Sequence, residues 1–151
     1  AWREHIKALG LDGQGMVVEI TEGLLLDASE TVTRQLLEFR DAGIEVSLDD
    51  FGTGYSSLSY LKRFDIDYLK IDQSFIRNLV PGSNDLALCE AIIVMAHKLG
   101  LKVIAEGLET SEQHDLLLAA GCDYGQGFLY SRPVPPEHVE RMLKSDAGRQ
   151  P

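Results

Sequence analysis

Met16-Val-Val-Glu-Ile-Thr-Glu22, Ala28 to Ala42, and Ile44-Glu-Val-Ser-Leu-Asp-Asp50 form the stretch that decides the fold. The first is a short β-branched run, which suits a strand. The second carries apolar residues at helical spacing (Val32, Leu36, Leu37, Phe39) and stops at Gly43, a residue suited to a helix C-terminus. The third is another strand, Ile44 to Leu48, which delivers two acids, Asp49 and Asp50, at its end. Strand, helix and strand in that order imply parallel pairing with a helical crossover.

The same rhythm continues outward. Phe51 to Tyr60 reads as a Gly- and Ser-rich loop running into a short helix, and Ile66 to Ile71 as a strand. Ser83 to Leu99 reads as a long helix closed by Gly100, Leu101 to Ala105 as a strand, and Ser111 to Ala120 as a helix ended by Gly121. Cys122 to Phe128 reads as a short strand, and Pro136 to Leu143 as a final helix with proline at its start. Upstream, Trp2 to Leu9 reads as a helix already under way. Five strand-helix units fit, with no linker and no fixed-spacing repeat. The chain is expected to be one α/β unit over 1–144, followed by a polar tail over 145–151.

Composition sets limits. The 151 residues are 44% hydrophobic and 25% charged, a globular balance with enough apolar material for a core. The net charge of −10 argues against binding a nucleic-acid polymer, which needs Lys and Arg against phosphate. Cys89 and Cys122 form no metal or redox motif and read as buried thiols. Leu86 to Leu99 is broken by Glu90, His97 and Lys98 and is shorter than the ~20 apolar residues of a membrane span. With no signal-like opening and no apolar span, this piece is expected to be soluble, and the thiols suit a reducing compartment, so a cytoplasmic domain is expected. Upstream membrane segments are left open, because the chain opens without Met.

The chemistry lies at the strand ends. Glu19 is near the end of the first strand, Asp49 and Asp50 end the second, and Lys70 with Asp72 lies at the third. Glu106 and then Glu109 follow the fourth, and Gln126 is on the fifth. Parallel strands deliver their C-terminal ends to one face, which in a (β/α) barrel holds the active site. Taken singly, each residue has a plain structural reading. Glu19 reads as solvent-facing, Asp49-Asp50 as a turn or cap, Lys70 as a surface lysine, and Glu106 as a loop acid. Five successive strand ends with polar groups favour a pocket. Carboxylates gathered there repel unless a cation neutralises them. Oxygen-only ligands suit Mg²⁺ or Mn²⁺ rather than Zn²⁺. Lys70 among those acids is placed to hold a water or to stabilise developing negative charge. His5, His97, His114 and His138 fall on helices and read as solvent-side or interface residues.

Five blocks carry a resemblance. Val18-Glu-Ile-Thr-Glu22, Asp49-Asp-Phe-Gly-Thr-Gly-Tyr-Ser-Ser-Leu58, Leu69-Lys-Ile-Asp-Gln-Ser-Phe-Ile76, Ile104-Ala-Glu-Gly-Leu-Glu-Thr110 and Tyr124-Gly-Gln-Gly-Phe128 resemble, in order, the blocks of the EAL domain family. The resemblance runs from about Leu9 to Pro133. It implies a modified (β/α)₈ barrel of the TIM type, represented here by about five C-terminal βα units. It implies hydrolysis of cyclic di-GMP to the linear dinucleotide pGpG with Mg²⁺ or Mn²⁺, as two ions. Glu19, Asp49 and Asp50 match metal ligands, with Asp50 between the ions. Glu106 matches a further site carboxylate, with a metal or catalytic role. Lys70 matches the lysine at the catalytic water, and Gln126 a supporting glutamine. Glu22 matches the anchor of the loop after Asp50. That loop (Gly52, Thr53, Gly54, Tyr55, Ser56, Ser57) and Glu109 match positions beside the substrate. A homodimer and an upstream sensory or cyclase domain are further implications, with the whole protein cytoplasmic or membrane-anchored.

The chain departs from the family in length. A full barrel needs about 250 residues, and the Glu-Ala-Leu signature and an Asn ligand are absent from these 151. The expectation is a piece of a normal barrel enzyme. The competing expectation is a catalytically incomplete domain that binds cyclic di-GMP as a receptor or docks a partner.

Overall fold

Five parallel strands form one sheet in chain order, and this order is what positions the site. The computed structural model describes residues 8–10, 13–26, 29–52, 61 and 64–146. A 3₁₀ turn at Gly13–Gly15 precedes β1 (Val17–Thr21), α1 (Glu22–Leu26), α2 (Glu30–Asp41) and β2 (Glu45–Phe51). Then come β3 (Tyr68–Ile71), α3 (Gln73–Ile76), α4 (Asn84–Lys98), β4 (Lys102–Glu106), α5 (Ser111–Ala119), β5 (Tyr124–Gln126) and α6 (Pro136–Asp146). The expected helix over Trp2 to Leu9, the loop from Thr53 to Tyr60 and the end of the tail fall largely or wholly outside the described residues, as does His5.

A sheet whose order never reverses winds in one direction, like a barrel wall. A doubly wound sheet reverses at a switch point. One apolar cluster joins Val46, Leu48, Leu69, Ile71, Val103 and Ala105 of the strands to Leu36, Ile76, Cys89, Ile93, Ala96 and Leu117 of the helices. Side chains alternate along a strand, so the other face carries Glu19, Ser47, Asp49, Tyr68, Lys70, Glu106 and Gln126. That face is polar almost from end to end. This is the expected α/β architecture, five βα units of a barrel.

Local chemistry explains the element ends. Ser29 and Ser83 cap α2 and α4 by accepting from Val32 N (3.4 Å) and Leu86 N (3.1 Å). Gly43 and Gly100 follow those helices at φ 72° and 82°, where a Cβ would be strained. α5 starts in a capping box. Gln113 N donates to Thr110 Oγ1 at 3.2 Å, and Thr110 N donates to Gln113 Oε1 at 3.1 Å.

Strand bounds differ from the sequence reading at several places; the fifth strand, read from Cys122 to Phe128, spans Tyr124–Gln126. The second strand was expected to stop at Leu48, but pairing continues through Thr21↔Asp49 and Phe51↔Ile71, so Asp49 and Asp50 lie within it. The third spans Tyr68–Ile71 rather than starting at Ile66; just before it, Asp67 ties both neighbouring strands, its N–H donating to Val46 O at 2.9 Å, its O accepting from Lys102 N at 3.0 Å and its Oδ2 accepting from Val46 N at 2.8 Å. Asp123 repeats this before β5, accepting from Val103 N at 2.7 Å. Among the described residues, no helix is long and apolar enough to cross a membrane.

Candidate active site

The site is built where β1, β2, β3 and β4 end. Lys70 Nζ stands 2.8 Å from Glu19 Oε1 and 3.4 Å from Asp49 Oδ1, and directly against Glu106 Oε1. The lysine side chain is 3% exposed, whereas Glu19 is 54% exposed. So one buried ammonium gathers three acids from three strands, with the most open of them facing solvent.

The electrostatics follow from that count. Burial pushes the Lys70 ammonium down, but hydrogen bonds to Glu106 and Glu19, with the charges of Glu106 and Asp49, outweigh it and hold Lys70 above its ordinary value. Burial pushes the Glu106 carboxyl up. Lys70 opposes this, and Asp49 and Glu19 add to it, so Glu106 sits above the usual range. Both directions are consistent: Lys70 feels three anions, whereas Glu106 feels one cation and two anions. Three carboxylates against one ammonium leave two negative charges in excess.

A β-bulge shapes the middle of the site. The β2–β3 register shifts between Leu48 and Phe51, so Asp49 and Asp50 stand against one residue of β3. Asp50 has φ 57°, the one described non-glycine residue at positive φ, and its N–H donates to Asp49 Oδ1 at 3.0 Å. The bulge breaks the strict alternation that otherwise sends neighbouring side chains to opposite faces.

The remaining expected residues are placed as follows. Glu22 is the first residue of α1 and is buried. Gly52 has φ 95° and lies against the Phe75 ring. Thr53, Gly54, Tyr55, Ser56 and Ser57 lie outside the described residues. Gln126 pairs in register with Glu106. Glu109 donates its backbone N–H to Gln113 Oε1 at 2.8 Å. Glu106, Glu109 and Gln126 share a cavity of about 230 Å³ with Gln73 and Phe128. Asp72 is a helix cap, accepting from Ser74 N at 2.9 Å, and stands apart from Lys70's partners. Of the helix histidines, His97 Nε2 bonds Asp123 Oδ2 at 2.8 Å.

Sequence reasoning missed Gln73, Phe128 and Gln113. Gln73 follows the third strand by two residues and was reachable by the strand-end rule. Gly107 shows how close it comes, since a Cβ there would lie 2.7 Å from Gln73 Cβ. Gln113 sits on a helix, and its Nε2 donates across to Ile76 O at 3.1 Å, a contact without a local signature.

The divalent metal implied by the resemblance can be tested against these residues. Among the described residues, no three of His, Cys, Asp and Glu are grouped as metal ligands, because the carboxylates close on Lys70. The donor chemistry does fit a hard cation. It is all oxygen and carries excess negative charge.

Residues 2–133 match the EAL domain. The chain belongs to the EAL domain family. It is 41% identical over 143 residues to the cyclic di-GMP phosphodiesterase NbdA of Pseudomonas aeruginosa, covering 95% of this chain and 18% of that protein. An EAL enzyme, Bd1971, solved with cAMP and cyclic-di-GMP bound, superposes with a TM-score of 0.88 at 34% identity, covering 94% of this chain and 38% of that one. Klebsiella pneumoniae BlrP1, solved with manganese and cy-diGMP, gives a TM-score of 0.79 at 34% identity, covering 87% and 34%. The EAL chain thus spans under a fifth of the NbdA sequence.

Proposed function

We propose that this EAL chain is part of a divalent-metal-dependent phosphodiesterase that hydrolyses cyclic di-GMP to linear pGpG. The observation that carries this is Lys70, buried among Glu19, Asp49 and Glu106 at the ends of adjacent parallel strands. A related phosphodiesterase named for that substrate and neighbours solved with it support the reading.

Each residue takes a role. Glu19, Asp49 and Asp50 would hold Mg²⁺ or Mn²⁺, as two ions, with Glu106 adding a further carboxylate. A bound divalent ion supplies a water of lowered pKa and neutralises phosphate charge. Lys70 orients the attacking water and offsets the negative charge that develops on the phosphate. Its elevated pKa keeps it a cation, so it serves as a donor and not as a base. Gln126 and Glu109 line the adjoining cavity and orient the dinucleotide, and Glu22 anchors the loop 52–57. A homodimer, an upstream sensory or cyclase domain and a cytoplasmic setting belong to the same proposal.

The test is chromatographic detection of pGpG after incubating the full-length protein with cyclic di-GMP and Mg²⁺. Linear product is the expected outcome. Binding without product would replace the enzyme by a receptor, and neither binding nor product would remove both readings.

A further inference from the structure

We propose that Ser47 is a positioning residue, whose small side chain leaves the gap through which the Lys70–Glu19 bridge passes. Its catalytic consequence rests on the phosphodiesterase reading. β1 and β3 are not neighbours. β2 lies between them, so their backbones stand roughly 9–10 Å apart. Lys70 Nζ and Glu19 Oε1 nevertheless meet at 2.8 Å. The register gives the path. Ser47 stands beside Glu19 on one side and Tyr68 on the other, and Lys70 is two residues beyond Tyr68. The bridge therefore crosses β2 diagonally, between Ser47 and Asp49.

Residues paired in a parallel register share a face, so Ser47 lies under that bridge, and it is 1% exposed. Its neighbours Val46 and Leu48 face the helices and belong to the apolar core. A β-branched residue at position 47 would put a methyl group where the lysine and glutamate stems cross. The Ser47 hydroxyl has no hydrogen-bond partner among the described residues. A buried hydroxyl without a partner weakens a fold relative to alanine. Volume, and not hydrogen bonding, is therefore the property the site uses. It follows that threonine, the closest chemical replacement, behaves like valine.

The experiment uses the full-length protein with Ser47→Ala, Ser47→Thr and Ser47→Val. Two readouts are taken. One is acylation of Lys70, measured by peptide mass spectrometry against exposed Lys98 and Lys102. The other is kcat and KM on cyclic di-GMP with Mg²⁺. In the parent protein and in Ser47→Ala, Lys70 should label far more slowly than the two exposed lysines, and the melting temperature of Ser47→Ala should equal or exceed the parent's. In Ser47→Thr and Ser47→Val, Lys70 should label about tenfold faster, and kcat should fall roughly 10- to 100-fold with little change in KM, because a small misplacement of a reacting group is costly. Faster labelling in Ser47→Ala would overturn the proposal by giving the hydroxyl the role, as would full protection and unchanged kcat in a folded Ser47→Thr or Ser47→Val. If those two fail to fold, Ser47→Ala still decides through its labelling. If the parent yields no pGpG, the phosphodiesterase reading fails, while the labelling series still decides whether Ser47 gates the bridge.

Discussion

Asp50 holds a conformation that most side chains avoid. At φ 57° an aspartate is tolerated because its short polar side chain bonds locally, whereas a β-branched residue costs about 1–2 kcal/mol more. Asp50→Asn keeps both the shape and the backbone preference. It should change stability by less than about 0.5 kcal/mol while cutting turnover of the full-length protein at least about a hundredfold. Thermal melting and product assays on the same preparation check this, and a large loss of melting temperature would count against a chemical role. Lys70 differs, because it is itself part of the packing. Lys70→Met leaves Glu19, Asp49 and Glu106 facing one another. The expected loss at neutral pH is roughly 2–3 kcal/mol, below the 3–5 of a fully buried pair, since the carboxylates are partly open to solvent. The sign with pH is fixed. In the mutant the Glu106 carboxyl is raised by burial and by two acids, so lowering the pH through its range protonates it and restores stability. Melting curves between pH 8 and pH 5, read against the parent, test this.

Among the elements, carboxylates and amides do work that periodicity does not reveal. Asp67 and Asp123 each cap the backbone of a neighbouring strand, and Asp123 also takes His97. Burial tends to raise the Asp123 carboxyl, but the bonds from His97 and Val103 N outweigh it and hold it below the usual range. A carboxylate lowered in this way adds stability above the unfolded aspartate pKa, and that stability is lost as pH falls through the folded value. Asp123→Asn should therefore flatten the acid limb of a plot of melting temperature against pH below about pH 4. Gln113 joins Glu109, Thr110 and Ile76, and Gln113→Ala should cost about 1–3 kcal/mol by denaturant titration, because buried partners lose their bonds.

The helices and strands were legible from period and punctuation: Ser83 and Gly100 bracket α4 where the sequence put its ends. The Asp49–Asp50 bulge was not. It is one residue of mismatch between two strands, and neither strand's own sequence encodes the partner's register. The convergence of Glu19, Lys70 and Glu106 was readable from their strand-end positions. The closeness of Lys70 to three acids at once depends on side-chain reach across strands, which spacing cannot give.

Across the whole molecule, the sheet separates its two tasks by face. The helix side supplies cohesion through Leu48, Leu69, Ile71 and Val103, all essentially without solvent contact. The opposite side supplies charge. Barrel interiors are ordinarily filled by branched apolar side chains, and this polar lining departs from that pattern. Chelation of the full-length protein with EDTA should abolish pGpG formation. Mg²⁺ or Mn²⁺ should restore it and Ca²⁺ should do so poorly, since Ca²⁺ prefers longer bonds and more ligands. Equal rates in Ca²⁺ would remove the assignment to Mg²⁺ or Mn²⁺.

The chain-order sheet also fixes a sequence of events during translation. β1 and β2 leave the ribosome before β3 and bring Glu19 and Asp49 onto adjacent strands ahead of Lys70. Lys70 arrives with β3, and Glu106 only with β4. These two strands therefore carry a repulsion between acids that Lys70 relieves when the third strand docks. The same lysine that would face substrate in the finished enzyme is the group that lets the growing sheet close over its own acids.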